Sequence, residues 1–220
     1  MTDEIYSFRS LVRPVLVSTV FFMLLTGLAY PLATTAAANL LMPWRAQGSL
    51  IQRGGVVVGS AVLGQQFNRP EYFHPRPSAT TGTDPADASK TVDQPYNAAL
   101  SGASNFGPTN RKLIDEVTER VKAYREENGL AANAQVPVDA VTASASGLDP
   151  DISLANAQIQ LKRVAATRHL PYDEVLRLLQ ANTSGRLLGL LGEPHVNVLQ
   201  LNLALDEHAS HLAVTAPEKR

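Results

Sequence analysis

From Pro14 to Trp44 the chain carries no Asp, Glu, Lys, Arg or His, and its densest part is Val15 to Leu32 (VLVSTVFFMLLTGLAYPL). At about 1.5 Å of rise per helical residue, this run crosses most of a hydrocarbon layer roughly 30 Å thick. Its aliphatic and Phe side chains each favour insertion by about 0.3 to 0.6 kcal/mol near the bilayer centre, a sum that outweighs the modest cost of Ser18, Thr19 and Thr26. A transmembrane helix with its extension is therefore expected over residues 13–41, with Val15, Phe21, Leu25, Leu28 and Leu32 among its membrane-embedded residues. A cleavable signal is the first rival, with Arg9 and Arg13 as its basic region and Thr35 to Ala38 as small residues for a peptidase. A signal core runs about 7 to 15 residues, and this run continues to Leu40, Leu41 and Met42. The second rival, a buried helix of a soluble protein, would interleave polar residues at helical period. The retained anchor fits the pattern best.

Arg9 and Arg13 lie just before the apolar run, whereas Arg45 and Arg53 lie further beyond it. The closer pair places the arm of residues 1–12 in the cytoplasm and residues 42–220 outside. Those later residues have the size of one soluble domain. A net charge of −1, with Lys and Arg scattered, leaves no basic stripe to neutralise phosphates and excludes nucleic acid as a partner. The absence of Cys rules out disulfides, thiolate zinc sites and a Cys nucleophile. It does not distinguish an oxidising compartment from a reducing one.

After Pro43-Trp44-Arg45, which suits a membrane interface or a simple linker, Ser49 to Phe67 reads as a hairpin turning at Arg53-Gly54-Gly55. Asn68 to Pro108 is rich in Pro, Ser, Thr and Gly. Its ends, around Tyr72 to Ser78 and Tyr96 to Pro108, suit an ordered loop, and Thr80 to Asp93 reads as a mobile tip. An amphipathic helix follows from Thr109 or Asn110, with Leu113, Ile114, Val117 and Val121 on one face, a Glu116–Arg120 pair on a solvated one, and a stop at Asn128-Gly129. Val136 to Asp139 reads as extended. A second helix starts at the N-cap Ser153, buries Leu154, Ala157, Leu161 and Val164, and ends near His169. A third opens at Pro171, turns Tyr172, Val175, Leu176 and Leu179 inward, and ends by Ser184-Gly185. Val196 to Leu205 alternates like a strand, and Glu207 to Arg220 reads as frayed. The expected fold is α+β: one N-terminal transmembrane helix, then a single soluble domain. In that domain the early hairpin and late strand form a small sheet under about three helices.

No P-loop, dinucleotide fingerprint or nucleophile elbow is present. His208 and His211, with Asp206 or Glu207 nearby, form the best metal pattern. A tail offers no rigid shell to orient ligands, so no metal site is expected. His74, between Phe73 and Pro75, reads as a packed or capping residue. Ser144, Ser146, Asp149 and Asp151 stand together, but a serine nucleophile needs a base within hydrogen-bond reach and none is indicated. A tight loop whose Ser and Asp oxygens accept backbone N–H groups accounts for them better.

Several stretches then carry a family resemblance in order. They include Gly59-Ser60-Ala61-Val62-Leu63-Gly64-Gln65, Arg76-Pro77-Ser78-Ala79, Tyr96-Asn97, Ser101-Gly102-Ala103-Ser104-Asn105, Gly107-Pro108 and Val136-Pro137-Val138-Asp139. Thr142-Ala143-Ser144, Ser146-Gly147-Leu148-Asp149-Pro150, Arg163-Val164-Ala165 and Val196-Asn197-Val198-Leu199 continue it. Over essentially its whole length the chain resembles the C subunit of the bacterial Kdp-type potassium-transporting ATPase. Ala103 stands where that family usually has a second Gly, and Asp151 where it usually has His, so neither position is vital to an essential reaction.

The resemblance implies a non-catalytic, single-pass accessory subunit of the bacterial inner membrane. Its partners would be a potassium-channel-like pore subunit and a P-type ATPase subunit, within a high-affinity uptake complex. It also implies a chaperone-like role that raises the pump's affinity for ATP, with no firmly bound cofactor of its own and ATP reached through the pump subunit. Leu100 to Ser104 looks like the signature loop of ABC transporters, which makes Ser101, Gly102, Ser104 and Asn105 the candidate nucleotide contacts. A domain lying outside cannot touch cytoplasmic ATP with them, so the effect would be a coupling through other subunits. The loops Asn68 to Pro108 and Val141 to Asp151 are expected to face partners, with Tyr72, Arg76, Tyr96, Asn97, Ser144 and Asp149 as the candidates. Gly27, Ala29, Ala33 and Ala36 suit close helix approach. Two other readings are a membrane-tethered periplasmic hydrolase using Ser144 or Ser146, and a nucleotide-binding regulator, which needs a cytoplasmic domain.

Overall fold

In the computed structural model, which describes residues 8–215, the apolar run is helical throughout. Helix α1 (Phe8–Leu24) passes through a π-helical turn (Leu25–Ala29) into α2 (Tyr30–Leu41). The widened turn sits just before Pro31, whose ring would press on the carbonyl of Gly27 in an unbroken α-helix. Four polar side chains along the rod are satisfied by its own backbone: Ser18 donates to Val15 O, Thr26 to Phe22 O, Thr34 to Tyr30 O and Asn39 to Thr35 O. That is what a helix surrounded by hydrocarbon requires. The span Ser10–Leu41 is long and apolar enough to cross a membrane, and none of its most apolar window is buried. A one-turn helix, α3 (Pro43–Ala46), follows, and the Trp44 ring N–H donates to Leu50 O.

The chain divides at Leu50–Ile51 into two compact units, and the second is α+β. Its strands form three small sheets. The hairpin β1 (Leu50–Arg53) and β2 (Val56–Ser60) stands where the sequence suggested. A second hairpin, β3 (Thr81–Thr83) and β4 (Thr91–Asp93), occupies the stretch expected to be a mobile tip. Its turn is ordered by Asp84, which accepts from the Ala86 N–H, and by Asp87, which accepts from the Ser89 N–H.

Four long helices and one short one complete the unit. Helix α4 (Arg111–Glu127) starts at Asn110, whose side chain accepts from the Lys112 N–H. Only Tyr124 on it is buried, and Ile114 is 48% exposed, so the expected apolar face is largely a rim. Instead of continuing the extended run expected over Val136 to Asp139, the chain from Val138 makes a single turn, α5 (Val138–Val141), set up by Pro137. A three-stranded antiparallel sheet then orders β5 (Asp151–Ser153), β7 (His195–Asn197) and β6 (Thr183–Ser184) as β5-β7-β6. Helix α6 (Leu154–Arg168) is capped by Ser153 and ends at His169 in the left-handed region, as its sequence signals require. Helix α7 (Tyr172–Ala181) buries Val175 and Leu179, whereas Tyr172, expected inward, is half-exposed.

The largest departure is at the end. Only His195–Asn197 is strand; Val198–Thr215 is helix α8, so the segment expected to be frayed is helical as far as Thr215. Residues 1–7 of the N-terminal arm and 216–220 of the tail lie outside the described residues. Asn197 caps α8 by accepting from the Gln200 N–H. Val198, Leu201, Asn202 and Leu205 share its buried face at helical spacing. Consequently β7 pairs with β5 and β6, and the early hairpin forms a sheet of its own.

The core joins Phe73 and Ile152 to the inner faces of α6, α7 and α8. Phe73 comes from the long loop, and its backbone is held by the Asn202 side chain, which accepts from Phe73 N–H at 2.9 Å and donates to Phe73 O at 2.9 Å. Replacing Asn202 with Leu preserves volume and strands both groups in the core. We expect a loss of about 1–3 kcal/mol for each group left unpaired, measured by denaturant unfolding of the detergent-solubilised chain.

Candidate partner-binding face

The loop Asn68 to Pro108 and the loop Val141 to Asp151 are bound to each other along their length. Ser78 Oγ donates to Gly147 O at 2.8 Å and accepts from the Tyr96 N–H at 3.0 Å. Thr80 Oγ1 donates to Gln94 O and accepts from the Asn97 N–H. Ser101 Oγ and the Gly102 N–H both donate to Ser146 O. Arg76 Nη1 meets Asp149 Oδ2 at 2.7 Å, and the Tyr96 hydroxyl donates to Arg76 O at 2.8 Å. Burial, and secondarily the Asp149 charge, push the Tyr96 hydroxyl above its ordinary pKa, so it is a neutral donor here.

Two glycines make this contact feasible. Gly147 has φ +68°, and a Cβ there would collide with Gly102 O and Thr80. At Gly64 a Cβ would fall on the Tyr96 ring and on Asp149 O. The structure thus brings Arg76, Tyr96, Asn97, Ser101, Gly102, Ser144 and Asp149 into one cluster. Ser104 is half-buried, and Asn105, at φ 52°, donates its side-chain amide to Ala103 O on the way to α4.

Tyr72 lies apart from this cluster. The guanidinium groups of Arg69 and Arg168 lie over its ring, at 4.9 and 5.0 Å, and its hydroxyl donates to Asp206. Arg168 also pairs with Asp206 at 2.8 Å. Tyr72 therefore fastens the loop to α6 and α8.

Ser144 and Ser146 accept from the Gly147 and Leu148 N–H groups, and Asp149 Oδ1 accepts from the Asp151 N–H. These are the turn contacts expected of a tight Ser/Asp loop. Asp151 sits 3.9 Å from His195 Nε2, and burial raises its pKa. His208, assigned to a tail by the sequence, is on α8 and pairs with Glu174 of α7. Among the described residues no cluster of three or more His, Asp or Glu side chains is arranged to hold a metal.

Beside the cluster lies a cleft of about 350 Å³ whose walls include His74, Arg76, Arg120, Tyr124, Glu127 and Gln160. The Glu116–Arg120 pair, expected on a solvated face, is half-buried, and Arg120 reaches into this cleft. His74 Nδ1 meets Glu127 at 2.7 Å and Nε2 faces Arg69 O at 3.0 Å, so both ring nitrogens face acceptors. Arg163, with only 8% of its side chain exposed, ties Asn128, Gln160 and the carbonyls of Pro70 and Tyr72 together. Asp139 of α5 accepts from the Ser153 N–H, the Ser153 hydroxyl and the Asn156 amide. Sequence reasoning did not single out Arg163 or Asp139 as hubs. The advance signal for both was the family resemblance, whose stretches Val136 to Asp139 and Arg163 to Ala165 contain them; on α6, Arg163 follows the buried amides Asn156 and Gln160 along one face. On the face itself, Arg76 Nε is the one buried side-chain polar atom without a hydrogen-bond partner among the described residues.

Residues 12–207 match the family model of KdpC, the c chain of K+-transporting ATPase. The potassium-transporting ATPase KdpC subunit of Bradyrhizobium diazoefficiens is 56% identical over 199 residues, covering 90% of this chain and 98% of the relative. That of Rhodopseudomonas palustris is 56% identical over 198 residues (90% and 97%). That of Methylobacterium nodulans is 57% identical over 197 residues (90% and 96%).

Two expectations follow from the geometry. Gly147→Ala forces a left-handed alanine and a backbone collision, so unfolding midpoints should fall by the equivalent of at least about 1–2 kcal/mol. The hydrogen bond from His74, aided by the His74 and Arg163 charges, holds the Glu127 carboxyl below its ordinary pKa. A depressed acid contributes stability that is complete above its unfolded pKa of about 4.3 and is lost as pH falls through the folded value. Glu127→Gln should therefore be less stable than the parent at neutral pH, with the gap closing in thermal melts run below about pH 4.

Proposed function

This chain belongs to the KdpC family, the c chain of K+-transporting ATPases, and from that premise we propose that it is a non-catalytic accessory subunit of a high-affinity potassium uptake complex. In this reading it supports assembly with a potassium-channel-like pore subunit and a P-type ATPase subunit, and it raises the pump's affinity for ATP indirectly. The observation that carries the proposal is the anchor. A helical run over Ser10–Leu41 has Ser18, Thr26, Thr34 and Asn39 bonded to its own backbone, and its most apolar window is exposed. Its outer surface therefore suits lipid and other membrane helices; Ala29, Ala33 and Ala36 share one face, and with Gly27 on another they allow close helix approach.

The domain after the anchor offers a recognition face in the cluster of Arg76, Tyr96, Asn97, Ser144 and Asp149. Turn and loop hydrogen bonds pre-order it, which lowers the entropy lost on docking. Arg9 and Arg13, in the first turns of α1 just before the apolar run, favour a cytoplasmic N-terminus and an extracytoplasmic domain. Ser101, Gly102, Ser104 and Asn105 would then lie across the membrane from ATP, and any effect on nucleotide affinity would be an allosteric coupling of at most about 1–3 kcal/mol.

Protease accessibility of the assembled complex in oriented vesicles tests the arrangement. The domain should be cleaved in right-side-out vesicles and protected in inverted ones, and Ser101→Ala with Ser104→Ala should leave the KM for ATP unchanged. Cleavage only in inverted vesicles, with a raised KM in the double variant, would instead support direct contact with nucleotide.

A further inference from the structure

Between β6 and β7 the chain builds a small ordered protrusion. Leu187 and Leu191 exchange both backbone hydrogen bonds, at 2.8 and 3.0 Å, and the Gly189 N–H donates to Arg186 O. Leu188 at φ 54° and Gly189 at φ 75° turn the tip. Arg186 closes the neck on both carboxylate oxygens of Glu193 at 2.8 Å. Four leucines stand on this frame, and they are exposed by 67% (Leu187), 86% (Leu188), 81% (Leu190) and 63% (Leu191). A soluble surface does not ordinarily display such a patch, and a disordered loop would not be braced to present it.

We propose that this leucine tip inserts into the hydrocarbon edge of the bilayer and gives the domain a second membrane contact beside its helix. The chemistry selects lipid over a protein partner. Protein hot spots favour Trp, Tyr and Arg and under-use Leu, whereas residues 187–192 (LLGLLG) contain only Leu and Gly, and the flanking charges neutralise each other. Four leucines alone attach only weakly and reversibly to a membrane. The tether changes that, because chain from Leu41 to Leu50 spans at most about 30 Å. A domain on so short a leash meets the surface at high effective concentration, so a weak contact is populated. The inference rests on the anchor spanning the membrane, and it holds for either orientation of the domain.

The absence of native Cys makes the test clean. In the assembled complex in lipid nanodiscs, Leu188→Cys and, separately, Leu190→Cys carry an environment-sensitive fluorophore. Phe21→Cys in the anchor and Lys122→Cys on α4 are the apolar and aqueous references. We expect the tip labels to emit to the blue of the Lys122 label and to lose intensity when doxyl-labelled lipids are included, as the Phe21 label does. Tip emission matching the Lys122 label would overturn the proposal. So would a blue-shifted tip that doxyl lipids do not quench, which would mean that protein covers it. An unquenched Phe21 label would remove the tethered anchor itself, and the proposal with it. A quenched Phe21 label beside an unquenched tip would remove the tip contact alone.

Discussion

A stretch of irregular backbone crosses the core of this protein, and the fold depends on how its polar groups are satisfied there. Phe73 is fully buried, yet it lies in no strand. Its N–H and C=O are matched by the amide of Asn202, and those of His74 by the amide of Gln160, in the geometry that a neighbouring strand would supply. Unpaired backbone groups at this depth would oppose folding as strongly as Phe73 favours it. Two helices therefore carry amide side chains on their most buried faces. Tyr124, Asn156 and Gln160 continue the pairing inward through further hydrogen bonds.

That clamp has consequences for function. Once Phe73 and His74 are fixed, the chain leaving them is directed along the Val141 to Asp151 loop, where Arg76 meets Asp149 and Ser78 meets Gly147. Arg163 and Arg168 fasten the entering side through the carbonyls of Pro70, Glu71 and Tyr72. A long loop thereby becomes a rigid surface of the kind that can recognise a partner without first losing conformational entropy. Buried polar networks of this type favour one arrangement over many, because each alternative leaves some member unsatisfied. The anchor follows the complementary rule at Ser18, Thr26 and Thr34, whose hydroxyls donate to carbonyls of their own helix, as hydrocarbon favours.

Where local signals and burial agreed, the elements were legible. Helix α6 is bounded by Ser153 and His169 as a capping residue and a left-handed stop require, and β1 and β2 turn at the glycines. Helix α8 was masked because its buried Asn202 breaks the apolar stripe and turns a 3.6-residue period into apparent alternation. The Asn197 cap with Gln200 three residues on was the local clue. Val138–Val141 is too short for periodicity to speak, and the β3–β4 hairpin is held by turn carboxylates rather than by apolar residues. At the candidate face the residues were legible as Gly-, Ser- and Asp-rich loops, but their pairing was not. Tyr72 in particular carries the same chemistry as Tyr96 and belongs to a different cluster.

The sequence alone therefore determined the membrane anchor, the α+β class and the main helices of the domain, because each follows from local hydrophobicity, periodicity and caps. The tertiary structure decided which loop meets which, which polar residues are buried, and that leucines 187, 188, 190 and 191 stand exposed on a braced hairpin. The physical reason is the same in each case. Burial and hydrogen-bond partnership are properties of pairs distant in the chain, such as Asn202 with Phe73 or Arg76 with Asp149, and no local pattern encodes them.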